Sequence, residues 1–341
     1  MKVGVFDHLD HNALDLADQY EQRLRMVEVY EEAGFHAYHL AEHHSTPLGM
    51  APSPSIFLSA VAQRTTRLRF GPLVFPLPFH HPLRVAEEIC MLDQLSRGRL
   101  EVGVGRGSSP HELRDYGIDP DEAQARYFEA FVVLRQALAG RVDFEGKFFT
   151  FRNVPMEIAP VQRPHPPFWY GVGNPEGMKW AADNRVNVVC NGPTSLVKAV
   201  TERYRSAWTA AGNRADALPF IAMNRFVVVS DTDKRAHDIG ERAYRLWHTK
   251  FFHLWNTRGS KPTYATYPDT FEELIQIGYA AVGNPETVRE SLGRQLSEAG
   301  NNYFVARFAF GDMTLDETIR SVRLFAKEVM PSLSPAPSMA T

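Results

Sequence analysis

The sequence predicts an α/β fold, a (β/α)8 TIM barrel with insertions. Short apolar runs alternate with amphipathic stretches along the chain and give roughly eight strand–helix units, the number a closed parallel barrel requires. The strand candidates are apolar with little polar alternation, as suits a sheet covered on both faces. The first of them runs into DHLDHN, which holds no glycine. An open doubly wound sheet would place its glycine-rich phosphate turn there.

Residues 2–6, KVGVF, read as the first buried strand. Leu16, Tyr20, Leu24, Val27 and Tyr30 recur at helical spacing, and Gly34 stops that helix. Residues 35–41 form the next strand, 54–64 a helix and 68–74 the third strand. Pro82 suits the first turn of a helix whose buried stripe is Val85, Ile89, Leu92 and Leu95; Gly98 ends it before a fourth strand at 99–105. Asp121 and Glu122 are expected in the first turn of the following helix, opposing its dipole, with Phe128, Phe131, Leu134 and Leu138 on its apolar face. Residues 142–151 read as a hairpin inserted outside the main sheet. PFWYGVG, NVVCNG, FIAMNRFVVVS and NNYFVARF supply four further strands, separated by helices near 175–183, 195–211, 233–248 and 285–299. A last helix runs from Leu315 to Val329. One domain over residues 1–333 is expected, with 334–341 a disordered Pro- and Ser-rich tail.

Composition narrows the function. The chain has 341 residues, 44% of them hydrophobic, ample for a sizeable core. A net charge of -3 points away from nucleic acid or an anionic membrane as partner. No stretch approaches the ~20 apolar residues of a membrane span. The N-terminus, MKVGVFDHLDHN, is too acidic and its apolar run too short for a signal peptide. The two cysteines, Cys90 and Cys190, lie in apolar surroundings and read as buried free thiols of a reducing, cytoplasmic protein.

In such a barrel the C-terminal strand ends converge on one face and hold the site. AEHH, residues 41–44, falls at one of them. His43, His44, His80, His81 and Asp7 could be read as metal ligands. Adjacent residues of an extended segment point apart, however, and no HxH or HExxH spacing occurs, so no metal is assigned. VGVGRGSS sets Gly105, Arg106 and Gly107 at another strand end, where a guanidinium can grip phosphate. VGNPEGMKWAA, from Val172, offers a second half: after Gly173, Asn174 as helix N-cap, Pro175 at the first helical position, and exposed amides near Gly177 and Met178. Together the two halves suggest one phosphate between Arg106 and a helix N-terminus. With no GxGxxG and no P-loop lysine motif, a mononucleotide-type cofactor is favoured over a dinucleotide or nucleoside triphosphate.

AEHHSTPLG, LPFHHPLRVAEEICMLDQLSRGRLEVGVGRG, the WAA helix, AVGNPETV and LFAKEVMPSL resemble the bacterial luciferase family of flavin-dependent oxidoreductases and monooxygenases, nearly to Leu333. The resemblance implies a barrel with insertions, reduced FMN and a homodimer. It implies that His43 lies beside flavin and substrate as the catalytic residue, and that Arg106 contacts the flavin phosphate. Asn174 and Gly177 match further phosphate contacts; luciferase has hydroxyl side chains there, so Gly177 offers only its amide. Gly105 stands where luciferase has Cys, and Leu73–Val74 matches a cis peptide that supports the flavin ring. Flat walls for the ring could come from Phe6, Leu40, Val74, Phe75 and Phe79, and a substrate pocket from Phe6, His8, Phe79 and His80. His44 is expected to serve the loop or a neighbouring hydrogen bond, and Glu42 to orient the turn or one imidazole. Residues 256–270, long and aperiodic, could form a lid. The function implied is an FMN-dependent monooxygenase: reduced flavin from a separate reductase, with oxygen, oxidises a small organic substrate such as an aldehyde or sulfonate. A deazaflavin-dependent hydride-transfer enzyme and a non-catalytic flavin-binding protein are the alternatives.

Overall fold

A computed structural model describes residues 1–262 and 267–333. The tail at 334–341, and residues 263–266 of the candidate lid, lie outside the described residues. The first half runs β1 (Lys2–Asp7), α1 (Leu16–Glu32), β2 (Ala37–Leu40), α2 (Pro54–Arg64), β3 (Arg69–Pro72), β4 (Phe75–Pro76), α3 (Pro82–Leu95), β5 (Val102–Gly105), α4 (Pro110–Asp115) and α5 (Ala123–Leu138). A hairpin follows, β6 (Arg141–Glu145) and β7 (Thr150–Pro155), and pairs only with itself. The second half runs β8 (Phe168–Val172), α6 (Met178–Asp183), β9 (Asn187–Cys190), α7 (Thr194–Ala210), β10 (Ile221–Val229), α8 (Asp233–Phe251), α9 (His253–Thr257), α10 (Phe271–Gln276), β11 (Ala280–Gly283), α11 (Pro285–Ala299), β12 (Tyr303–Arg307) and α12 (Leu315–Leu324).

The main sheet is parallel and follows the order β3-β2-β1-β12-β10-β9-β8-β5-β4. Its two ends meet. Phe70 of β3 bridges Leu100, and the Glu101 amide donates to the Phe70 carbonyl at 2.8 Å. This closing seam is built on glycine. A Cβ at Gly71 would sit 1.7 Å from the carbonyl oxygen of Glu101, and one at Gly103 would sit 2.4 Å from that of Pro72. Only residues without a side chain let the third and fourth staves touch backbone to backbone. At the top of the seam a Cβ on Gly105 would meet Val74 Cγ2 at 2.7 Å.

The lumen beneath the site is filled, not open. Phe6, Leu73, Trp169, Val189, Ala222, Tyr303 and Val305 pack as one cluster. Glu101 lies among them with its carboxylate accepting from Trp169 Nε1 at 2.5 Å and Arg69 Nε at 2.6 Å. Burial alone would raise its pKa, but the cationic and hydrogen-bonding groups of His36, His39 and Arg69 outweigh it and hold the carboxyl down to about 2. Cys90 and Cys190 are both buried free thiols. Among the described residues no helix is long and apolar enough to cross a membrane.

Four local expectations need correction. The third strand is not continuous over 68–74: the Leu73–Val74 peptide is cis and separates β3 from β4. Asp121 and Glu122 precede α5 rather than occupying its first turn, because the helix begins at Ala123. α6 begins at Met178, not Pro175. The Asn174 side chain closes a tight turn onto the Glu176 amide at 2.9 Å, which delays the helix by three residues. β11 escapes the apolar pattern because AAVG is only four residues long and follows closely on a short helix; it pairs with β10.

Gly71→Ala tests the seam. The added methyl must displace backbone rather than a flexible side chain, so a loss of about 2–3 kcal/mol or more is expected in urea unfolding. The same change at Gly34, where nothing lies within 4 Å of the new Cβ but φ is +82°, should cost less, on the order of 1 kcal/mol.

Candidate active site

The C-terminal ends of the staves open into one cavity of about 480 Å³. On one side stand Arg106, Gly107 and Ser108 beyond β5 and Gln124 of α5, with Tyr170 to Asn174 on the adjacent β8 and the turn after it. Arg106 is exposed, and no carboxylate pairs with it among the described residues. Gly173 and Gly177 leave room: a Cβ at Gly173 would touch nothing within 4 Å, and one at Gly177 only Tyr170, at 3.7 Å. At the other end the lining is aromatic and polar: Phe6, His8, His43, Phe251, Tyr267 and Tyr279. Leu73, Val74 and Gly105 lie between the two.

The AEHH segment leaves β2 and splits. His43 lines the cavity, and its Nδ1 lies 3.2 Å from Glu112 Oε1. A carboxylate accepts, so Nδ1 carries the proton and Nε2 remains an acceptor. The same Glu112 oxygen accepts from the His44 amide at 2.7 Å, which ties the turn to the imidazole it presents. His44 turns away. Its Nε2 donates to Glu42 Oε1 at 2.9 Å, and its Nδ1 accepts from the Tyr116 hydroxyl at 2.7 Å. His80 Nε2 reaches that same Glu42 oxygen at 2.7 Å. Glu42 therefore joins two imidazoles outside the cavity, while its Oε2 is buried without a partner on a residue that lines the cavity.

Most sequence-selected residues meet here: Phe6, His8, His43, Leu73, Val74, Gly105, Arg106, Gly173, Asn174 and Gly177 all line the cavity. Three do not. Met178 is wholly buried in the main core, and its amide donates to the Pro175 carbonyl. Phe79 stacks on Tyr116 at 5.0 Å and packs against Leu113 and Ile118. His80 is held by Glu42, one layer out. Of the ring walls considered, Leu40 and Phe75 also belong to the main core. The sequence reading missed Glu112, Trp247, Asn224, Tyr267 and Tyr279. Glu112 had a signal in Ser-Pro-His-Glu, the spacing of a helix cap, and Ser109 Oγ accepts from the Glu112 amide at 3.3 Å. Trp247 had none, since it meets His8 across 239 positions of sequence. Within the candidate lid, Tyr267 reaches the cavity. Ahead of it, Ser260 bonds His111 at 2.7 Å and Arg258 grips Asp115 through both nitrogens, at 2.8 and 2.6 Å, fastening this stretch to α4.

A closed parallel barrel whose strand ends gather a histidine–carboxylate pair and an exposed arginine among glycines is the architecture of a barrel enzyme. The sequence agrees: the chain belongs to the luciferase-like monooxygenase family, whose profile matches residues 1–302. It is 44% identical to the uncharacterised protein y4wF of Sinorhizobium fredii over 97% of this chain and 96% of that one. It is 28% identical to the limonene 1,2-monooxygenase of Rhodococcus erythropolis, over 91% and 80%. Among solved structures, the monooxygenase RslO1 of Streptomyces bottropensis superposes with a TM-score of 0.87 at 29% identity, over 97% and 99%. The FMN complex of the oxygenating constituent of 3,6-diketocamphane monooxygenase from Pseudomonas putida gives 0.82 at 21%, over 99% of each chain. A coenzyme F420-dependent tetrahydromethanopterin reductase of Methanopyrus kandleri gives 0.74 at 19%, over 98% and 99%, and shares the fold.

The Glu42 hub has a measurable pH signature. Burial disfavours the imidazolium of His80, but the Glu42 hydrogen bond and charge prevail and raise its pKa above the ordinary value. A raised folded pKa adds stability that is fully present below the unfolded value and fades as pH rises through the folded one. Glu42→Gln should therefore lower the melting temperature more at about pH 5.5 than at about pH 8.5. Equal losses at the two pH values would remove the ion pair from this account.

Proposed function

We propose that this protein is an FMN-dependent monooxygenase acting on a small organic substrate. The observation that carries the reading is the division of one cavity into an anion cradle at Arg106 and a histidine-bearing aromatic end. The donor set suits the flavin. Arg106 and the open backbone at Gly173 and Gly177 would hold its phosphate, and Leu73, Val74 and Gly105 would flank its ring. Two buried oxygens, Glu42 Oε2 and Asn224 Oδ1, have no partner and stand on lining residues. Both would accept from a ligand that brings N–H and O–H donors, as a flavin ring and its ribityl chain do. Bound reduced flavin supplies the electrons for oxygen chemistry.

The chain's own residues supply the rest. Glu112 fixes the tautomer and aim of His43, whose Nε2 is free to take a proton from the reacting centre and return it. Phe6, Phe251, Tyr267 and Tyr279 form walls that shield that exchange from water. The solved oxygenating constituent that resembles this chain supports a two-component arrangement, with reduced flavin delivered by a separate reductase. The family resemblance also supports a cytoplasmic homodimer.

Arg106→Ala should weaken FMN binding about 10–100-fold by equilibrium dialysis, the loss of a charge-assisted phosphate contact. FMN and the deazaflavin cofactor should differ strongly in affinity in favour of FMN; tighter deazaflavin binding would shift the reading to oxygen-independent hydride transfer. With reduced FMN and oxygen, His43→Ala should lower coupled product formation about 100-fold or more. Unchanged coupling would strip His43 of its role.

A further inference from the structure

Two histidines share one wall of the cavity and are wired in opposite ways. Their rings lie 5.4 Å apart, centroid to centroid. His43 donates from Nδ1 to Glu112 and keeps Nε2 as an acceptor. His8 receives, at Nδ1, a hydrogen bond of 3.3 Å from the indole Nε1–H of Trp247 on α8. Indole nitrogen only donates, so the His8 proton sits on Nε2. Behind this wall lies Arg307 of β12. Its guanidinium is 5.0 Å from the Phe6 ring, 4.2 Å from Phe226 and 5.0 Å from Trp247. It is 1% exposed, its Nε and Nη1 have no hydrogen-bond partner, and no carboxylate pairs with it among the described residues. A second positive charge beside that buried cation is costly. Burial, then Arg307, then His43 hold the His8 pKa well below the usual imidazole value.

We propose that His8 is a hydrogen-bond donor that fixes an acceptor oxygen of the organic substrate through Nε2–H, leaving proton movement to His43. The proposal rests on the monooxygenase reading above and adds the chemistry of the substrate: an uncharged molecule bearing a carbonyl oxygen. A sulfonate fits poorly. Among the described lining residues Arg106 is the only arginine or lysine, and it stands at the phosphate end. Arg307 does not line the cavity, whereas the carboxylates of Glu42 and Glu112 do, so an anionic head beside His8 would meet like charges and no cation at contact. Phe6, Phe251, Tyr267 and Tyr279 would take up the hydrocarbon part of a carbonyl compound.

The first test needs no flavin and so stands apart from the reading beneath it. In flavin-free protein with ring-labelled histidine, nitrogen NMR should show His8 with bare Nδ1 and protonated Nε2 from about pH 5.5 to about pH 8. Trp247→Phe should give mixed tautomers. A protonated Nδ1 in the native protein, or titration of His8 within that interval, overturns the proposal. The second test titrates cyclohexanone and methylenecyclohexane, probes of similar shape, into protein saturated with oxidised FMN. The ketone should shift the His8 Nε2–H signal and the hydrocarbon should not. His8→Leu should weaken ketone binding about 3–10-fold, and His8→Gln, which keeps an N–H donor, should restore most of it. FMN affinity should change less than twofold in both variants. Equal ketone binding by native protein and His8→Leu, or a loss confined to FMN, refutes the assignment. Failure of the native protein to bind FMN refutes instead the reading on which it rests.

Discussion

The structure depends on one close approach, that of the third and fourth staves of the barrel. Gly71 and Gly103 face opposing backbone at distances no side chain could share, and the Phe70–Leu100 bridge closes the ring there. Closure sets the tilt and stagger of every other stave. It also sets the site. Val74 stands over Gly105 just past this contact, and Arg106 is the next residue along β5's exit. Val74, Gly105 and Arg106, all of which line the cavity, thus take their places beside backbone contact without side chains.

Two carboxylates then distribute the histidines. Glu112 aims His43 inward and ties down the His44 amide; Glu42 gathers His44 and His80 outside. Each imidazole has its tautomer set by the partner it meets, as is general where histidine acts in proton transfer. Hydrogen bonding sends the imidazoles of His43 and His44 to different surroundings, the first in the cavity wall and the second behind it, although their residues are adjacent in sequence. A shared metal would need them to converge, and they do not.

The barrel was legible because its signals are local and repeated: apolar runs, helical stripes, and glycines such as Gly34 and Gly98 that end helices with positive φ. This part of the cavity lining was legible for the same reason, since Gly105, Arg106, Gly173 and Asn174 lie in two short segments at strand ends. The helix start was misplaced because Asn174 could cap a helix or close a turn, and tertiary context chose the turn. Phe79 and His80 sit beside the right strand, but the short helical turn after β4 swings them into the layer behind the cavity. Trp247, Asn224 and Tyr279 were not legible. Their placement arises only through contacts with distant elements, and no local sequence pattern marks it.

The glycine seam bears on how such a protein can change over generations. Positions 71, 103 and 105 meet backbone or a packed valine, so substitution there disturbs closure before it touches chemistry. The aromatic end is built differently. Phe251, Tyr267 and Tyr279 come from the excursion between β10 and β11, which carries no part of the ring's closure. Substitution at the frame glycines therefore disturbs the ring itself, whereas substitution at Phe251, Tyr267 or Tyr279 disturbs the second core cluster, in which they pack, and leaves the seam in place.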